Sequence, residues 1–193
     1  MLLAGGLSTR MGFPKLLLKQ DGRLCASRII EDLREAGWGR TAVVVSTGDL
    51  MEFVKLQLPS AEAIFNPEPA RGMISSLRLA LDWAEGGAEG LLALPVDHPL
   101  VTRETLRKLR SQAAPEWAAV PEYRGQRGHP TWWGRAAWRA LRSAEADEGA
   151  NQVLRRYDIQ IRLLPVDDPR ILVNINAPED MERYHLQPYR IDR

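Results

Sequence analysis

Gly5, Gly6, Arg10, Gly12, Pro14 and Lys15 fall within a short stretch directly after the apolar run Met1-Leu2-Leu3-Ala4. A glycine-rich turn behind a buried strand leaves backbone N–H groups pointing at whatever lies above the sheet, and such a nest takes an anion. Arg10 and Lys15 add two fixed positive charges to the same loop. Gly12 and Pro14 shape it so that Lys15 turns back over the nest. That is the equipment a triphosphate requires. The order is neither G-x-x-x-x-G-K-[ST] nor G-x-G-x-x-G. Residue types alone therefore leave a solvated surface loop equally open.

Four further segments carry polar residues at places where chemistry is done. Asp97 follows the apolar run 91–96 and precedes His98-Pro99, so no helix starts at once and an ordinary N-cap is the less natural reading. An Asp that caps the following turn is a common alternative at such a place. Asn174 and Asn176 flank Ile175, and strand alternation puts both on one face. In isolation they also read as turn-forming asparagines. Asn66 opens a Pro/Gly loop that ends at Gly72, and Met73, Ser75 and Ser76 enter a helix whose free N–H groups suit a ribose or phosphate. One serine is accounted for as an N-cap; the second is not. Arg127, Gly128, His129 and Pro130 close a turn rich in Gly and Arg.

These segments need a scaffold, and the pattern of apolar residues supplies one. Short runs at 1–4, 41–45, 63–65 and 91–96 alternate with helical spacings at 24–36, 49–58, 74–83 and 102–112. Asp49 and Thr102 stand as N-caps, with Gly37 and Pro59 as stops. Strand–helix alternation predicts an α/β fold, a three-layer α/β/α arrangement around a mainly parallel, Rossmann-like sheet. Such sheets bind ligands at the carboxyl ends of their strands. Loops 5–15, 66–73 and 97–99 fall there.

After Pro115 the rhythm changes. Segments 117–121 and 131–133 read as a small β-hairpin insertion. Residues 138–141 and 153–157 read as helical, 159–164 and 171–173 as strands, and Pro178 as the first turn of a last helix. Trp132 and Trp133 are adjacent, so on a strand they face opposite sides; core packing is the reading for both, with stacking on a ring ligand open to one. His98 and His185 receive no role. The tail from Gln187 is left loose or docked on a partner subunit. Residues 1–193 read as one domain, without repeat or linker. Only four residues precede Gly5, so the first strand is unusually short or the chain starts upstream.

Composition bounds the partners. The chain has 193 residues, 45% hydrophobic and 26% charged, which is ordinary globular usage able to bury a core. Lys plus Arg is 26 against 25 Asp plus Glu, a formal net charge of +1. That balance gives no reason to expect DNA, RNA or an anionic membrane, so phosphate recognition must be local. Cys25 is the single cysteine, which excludes an intramolecular disulfide and fits a reducing cytoplasm.

The first loop, LLAGGLSTRMGFPKLLL, resembles the signature L-A-[AG]-G-x-S-x-R-M-G-x-x-K of the MobA-like nucleotidyltransferases. Segments 66–77 (NPEPARGMISSL), 94–102 (LPVDHPLVT), 127–130 (RGHP) and 174–180 (NINAPED) match the family in the same order. The resemblance covers nearly the whole chain. It implies that Ala4, Gly5, Gly6, Arg10 and Lys15 hold a nucleoside triphosphate, with Arg10, Lys15 and Asp97 as the catalytic set. It implies that Asp97 binds Mg²⁺ together with one of Asn174 and Asn176. Asn66, Gly72, Met73 and Ser75 would lie against the nucleotide, and Ser76, Arg127 and His129 on the acceptor side. The implied partners are a nucleoside triphosphate, a phosphorylated acceptor such as molybdopterin, and a molybdoenzyme. Ala4-Gly5-Gly6 is similar to the guanylyltransferase form. Segments 72–77, 99–102 and 127–130 are similar to the cytidylyltransferase form, so CTP is the expected donor. A sugar-phosphate nucleotidylyltransferase and a non-catalytic molybdopterin chaperone stand as the alternatives. The short chain counts against the first, and the intact Arg10, Lys15 and Asp97 against the second.

Overall fold

The computed structural model describes residues 1–6, 11–145, 150–156 and 159–189. Strand β1 (Leu2–Ala4) runs into the first loop, and two short strands follow, β2 (Leu18–Gln20) and β3 (Arg23–Leu24). Helix α1 (Cys25–Glu35) leads to β4 (Ala42–Val45), α2 (Gly48–Gln57) and β5 (Glu62–Phe65). Helix α3 (Met73–Ala84), β6 (Gly90–Pro95) and α4 (Arg103–Gln112) complete the alternating half. Then come β7 (Ala118–Tyr123), β8 (Gln126–Arg127), β9 (Thr131–Gly134), α5 (Trp138–Ser143) and α6 (Ala150–Arg156). The chain ends in β10 (Ile161–Pro165), α7 (Pro178–Arg183) and β11 (Leu186–Pro188).

The main sheet has the order β10-β7-β9-β6-β1-β4-β5, with β8 paired to β7. Pairings of β1 with β4 and β6, of β4 with β5, and of β10 with β7 are parallel. Only β9 runs antiparallel within that order, against β6 and β7. A parallel sheet is covered on both faces, which is why the central strands read as unbroken apolar runs. Leu2, Val43, Val45, Leu92 and Leu94 pack with Ile29, Leu33, Phe53, Leu106 and Leu109 on one side. Leu3, Ala42, Val44, Leu91 and Ala93 pack with Ile74, Leu77, Leu81, Trp138 and Leu141 on the other. The expected three layers are present.

The expected hairpin belongs to this sheet and is not an appendage. Strand β9 lies between β6 and β7, and only β8 extends outward, through a turn whose Arg124 and Gly125 both have positive φ, as a two-residue type I′ connection needs. Trp132 and Trp133 fall in the cores on opposite faces. The Trp132 indole N–H donates to the Ala114 carbonyl at 2.8 Å.

Three local expectations are corrected. Residues 171–173 do not form a strand: Pro169–Leu172 is a 3-10 turn. Asp168 caps it, accepting the Arg170 N–H at 3.1 Å, and proline at its first position starts the turn. Thr47, not Asp49, caps α2, with its hydroxyl accepting the Leu50 N–H at 3.3 Å. The tail from Gln187 is neither loose nor docked elsewhere up to Tyr189. Strand β11 pairs antiparallel with β2 in a second sheet, β11-β2-β3, and the Tyr189 ring meets Phe53 edge-on at 5.9 Å. The expected helical residue Tyr157 lies outside the described residues.

Asp168 also ties the chain's end to α4. Its Oδ2 accepts from the Thr102 hydroxyl at 2.7 Å, the Thr105 hydroxyl at 2.8 Å and the Thr102 N–H at 3.3 Å. Burial alone would raise its carboxyl, but hydrogen bonds from Thr102, Thr105 and Arg170 outweigh that and hold it below the ordinary 3.8. A depressed carboxyl stabilises the fold fully above its unfolded value and loses that contribution as pH falls through the folded one. Asp168→Ala is therefore expected to cost about 2 kcal/mol at pH 7. In urea unfolding the gap to wild type should narrow below pH 3.8. A gap that stays constant down to pH 2 would contradict this.

Candidate functional site

Strands β1, β5 and β6 are parallel, so their carboxyl ends open on one edge of the sheet. The loops after them hold the expected residues. Pro14 fixes the entry to a 3-10 turn, Lys15–Leu17, from which the Lys15 side chain reaches back across the edge. Its Nζ donates to the Asn176 side-chain oxygen at 2.5 Å and lies 3.5 Å from Asp97 Oδ2. Side-chain exposure is 13% for Lys15 and 26% for Asp97, so this ion pair is partly shielded from water and screened less than a surface pair. The second carboxylate oxygen of Asp97, Oδ1, is buried and accepts no hydrogen bond among the described residues. A buried anionic oxygen without a partner is costly unless something cationic completes it.

Asn176 is held for this position. Asp180, at the start of α7, accepts the N–H groups of Asn176 and Ala177 at 2.9 and 3.0 Å. Those two bonds hold its carboxyl below the ordinary value. The Ile175 N–H donates to the Asp97 carbonyl at 2.8 Å, which joins the two segments directly. Asn174 is exposed and lies off this arrangement. Because the segment is not a strand, alternation does not put the two asparagines on one face, and only Asn176 meets Lys15. The oxygens of Asp97 and Asn176 are hard donors of the type Mg²⁺ prefers. No group of three or more His, Cys, Asp or Glu side chains among the described residues could enclose a metal. Such an ion would take its remaining ligands from phosphates and water.

On the other side of the cavity, Asn66 ends β5 almost fully buried. Its Nδ2 donates to the Ser75 and Ser76 hydroxyls at 2.9 and 3.0 Å, and its Oδ1 accepts the Glu68 N–H at 2.9 Å. The Ser75 hydroxyl donates to the Gly72 carbonyl at 2.8 Å, and Gly72 adopts a φ of 73° to let the loop enter α3. Gly5 passes directly over this network. A Cβ there would lie 2.8 Å from Ser76 Oγ and 3.5 Å from Asn66 Nδ2, so the first loop needs glycine to approach α3.

A cavity of about 290 Å³ opens between these walls. Of the expected residues, Ala4, Gly5, Gly6, Lys15, Gly72, Met73, Ser76, Asp97 and Asn176 line it. Asn66 and Ser75 stand behind the wall, bordering a smaller pocket. Arg127 is exposed on β8 and does not line the cavity. His129 does not line it either; its ring packs on His98, 4.4 Å between centroids. Burial lowers the pKa of both rings. For His98 the Asp97 charge opposes this, while His129 is pushed down to about 4. Both are neutral near pH 7, so neither brings a positive charge to a phosphate. Arg10 lies outside the described residues. Sequence reasoning missed Met11, Pro69 and Pro95 on the wall and Asp180 behind it. The acid three places into a helix that opens on proline was the one available signal for Asp180.

A family model for the MobA-like NTP transferase domain matches residues 1–161. The molybdenum cofactor guanylyltransferase of Cereibacter sphaeroides is 31% identical over 193 residues, covering 95% of this chain and 93% of that protein. The bifunctional protein GlmU of Xanthobacter autotrophicus is 37% identical over 139 residues and 70% of this chain, which spans 31% of GlmU's length. Among solved structures, Rv0371c from Mycobacterium tuberculosis H37Rv overlays with a TM-score of 0.81 at 24% identity, covering 94% of each chain. Molybdopterin-guanine dinucleotide biosynthesis protein A from Archaeoglobus fulgidus overlays with a TM-score of 0.64 at 20% identity, over 95% of this chain and 94% of that one. These two structures share the fold.

The Gly5–Ser76 approach makes a testable claim on packing. Gly5→Ala is expected to lose roughly 1–2 kcal/mol of stability, and Ser76→Ala to recover a part of it in the double variant, a coupling of about 1 kcal/mol. Strictly additive losses in a thermal or urea cycle would show that the two residues do not meet.

Proposed function

The chain belongs to the MobA-like NTP transferase family, and on that premise we propose that it transfers a nucleoside monophosphate to a phosphorylated small molecule of the molybdopterin class, with Mg²⁺ and release of pyrophosphate. The observation that carries this reading is the Lys15 ammonium set between Asp97 and Asn176 at the cavity mouth. The acceptor's phosphate attacks the α-phosphorus in line. A phosphate oxygen is already ionised near neutral pH, so no general base is required, and catalysis reduces to positioning and charge neutralisation. Mg²⁺, held by Asp97 and Asn176, would neutralise the phosphates and ease departure of pyrophosphate. Lys15 would swing to the triphosphate and balance charge on the equatorial oxygens. The Gly5-Gly6 backbone would supply N–H donors, and Arg10 a second cation on the same loop. Residues 1–193 would work as one domain, and delivery to a molybdoenzyme would follow product release.

Two donors have specific support. The Cereibacter relative is a guanylyltransferase, and Ala4-Gly5-Gly6 resembles the guanylyltransferase form of the first loop; both favour GTP. Segments 72–77, 99–102 and 127–130 favour CTP. GTP is the first donor to test and CTP the second.

Purified protein is expected to release pyrophosphate from GTP or CTP only when Mg²⁺ and molybdopterin are both present. Asp97→Ala should fold normally and lose at least about a hundredfold in kcat. Lys15→Ala should raise the calorimetric Kd for the triphosphate about tenfold. Wild-type turnover in EDTA, or undiminished turnover by Asp97→Ala, would remove the metal role. Tight molybdopterin binding without pyrophosphate release would favour a carrier over an enzyme.

A further inference from the structure

Arg28 lies on α1, outside every segment assigned to the site so far. Its Nη1 donates to Asp32 Oδ2 at 2.6 Å and to the Val101 carbonyl at 3.4 Å, and its Nη2 donates to the Pro99 carbonyl. Asp32 is 4% exposed. A carboxylate so deeply buried is tolerated only when paired, and its Oδ1 accepts a second guanidinium, Arg103 Nε at 2.8 Å from the start of α4. Asp32 therefore fixes the direction in which Arg28 points. The carbonyls of Pro99 and Val101 sit in the connection between β6 and α4, where no helix or strand supplies them with donors. Arg28 fills that need with charge-assisted bonds, roughly twice as strong as neutral ones.

That connection begins at Asp97. Residues 97–102 are held at the far end by Asp168 on Thr102 and from below by Arg28. The Asp97 carbonyl also receives the Ile175 N–H, so a shift of this turn moves Asn176 as well. Arg28 therefore holds the turn that carries Asp97 and, through the Ile175 N–H, bears on the segment that carries Asn176. Arg103 shares Asp32 but spends its remaining contact on Glu35, on the outer side of α1. It ties α1 to α4 without touching the turn carbonyls.

We propose that Arg28, aimed by Asp32, is a positioning residue for the reaction, setting the Asp97 carboxylate and the Asn176 amide through the 97–102 turn. The inference rests on the nucleotidyl-transfer reading above. It acts on kcat more than on nucleotide affinity, because the Gly5-Gly6 backbone and the Asn66 network would hold the nucleotide from the wall opposite the turn.

The test uses the full chain with Arg28→Gln, Arg28→Lys and Arg103→Gln. Arg28→Gln is expected to lower kcat between about tenfold and a hundredfold, the cost of a misplacement near 1 Å, and to raise the KM for GTP or CTP only about two- to fivefold. Weaker Mn²⁺ binding in the presence of nucleotide, read by the free-ion EPR signal, should accompany it. Arg28→Lys should regain part of both, since an ammonium reaches carbonyls without the fork. Arg103→Gln should lose thermal stability but keep kcat and Mn²⁺ affinity. Wild-type kcat in Arg28→Gln, or an equal kcat loss in Arg103→Gln, would overturn the proposal. Absence of turnover by the wild type would instead sink the function reading, and amide exchange would then decide. Arg28→Gln must speed exchange of the Ile175 amide and of residues 98–102 more than Arg103→Gln does, and equal exchange in the two overturns the proposal. Should Arg28→Gln fail to fold, Arg28→Lys is read against Arg103→Gln by the same criteria.

Discussion

One ammonium group holds together three parts of the chain that are far apart in sequence. Lys15 meets Asp97 82 positions away and Asn176 161 positions away. The meeting is possible because β1 and β6 are parallel neighbours, with the Val96 N–H on the Leu3 carbonyl at their carboxyl ends. Everything else at the site serves that convergence. A sheet covered on both faces can hold such ends rigidly, while the loops that leave them stay at the surface, where a ligand can reach. Among the described residues, one carboxylate, one amide and one lysine meet there. A triphosphate brings its own negative charge, so an additional carboxylate would add repulsion where the ligand already needs relief.

Two buried polar networks carry this geometry into the core. Asn66 with Ser75 and Ser76 fixes one wall, and glycine at position 5 lets the first loop come close to it. Asp32 with Arg28 and Arg103 sits under the other, below the Asp97 turn. Buried polar groups of this kind are costly when broken and specify one arrangement when satisfied. The His98–His129 pair lies beside them, neutral, with the two rings tilted against each other. It joins the Asp97 turn to the connection before β9 by packing, not by charge.

Much of the fold was legible because long apolar periods survive single-sequence reading. The central strands and helices α1, α3 and α4 show at their expected places. What was not legible is short or governed by one local contact. Strands β2, β3 and β11 have two or three residues each; β2 turns into β3 through Asp21-Gly22, and β11 pairs with β2 across a long separation, so no period announces them. At 171–173 the β-branched pattern suggested a strand, yet Asp168 and Pro169 impose a capped turn. The same misreading put Asn174 beside Asn176. For the site, motif order placed the cavity-lining residues of the first loop, Asp97 and the α3 entry together correctly in space. It did not separate Arg127 and His129, which lie away from the cavity, from those that line it, because distance from a cleft is not written in spacing. Arg28 and Asp32 carry no motif at all; an Arg and an Asp at i and i+4 read as an ordinary helix pair.

Nucleotidyl transfer at the Lys15–Asp97–Asn176 edge would cleave a triphosphate between its α and β phosphates and pass the nucleotidyl group on. Its most direct measurement follows two labels in one reaction, the α-phosphate and the γ-phosphate of GTP or CTP, with molybdopterin and Mg²⁺. The α label is expected in the acceptor and the γ label in pyrophosphate, in equal amounts. The γ label in free phosphate or in the acceptor, with the α label left on a diphosphate, would contradict it.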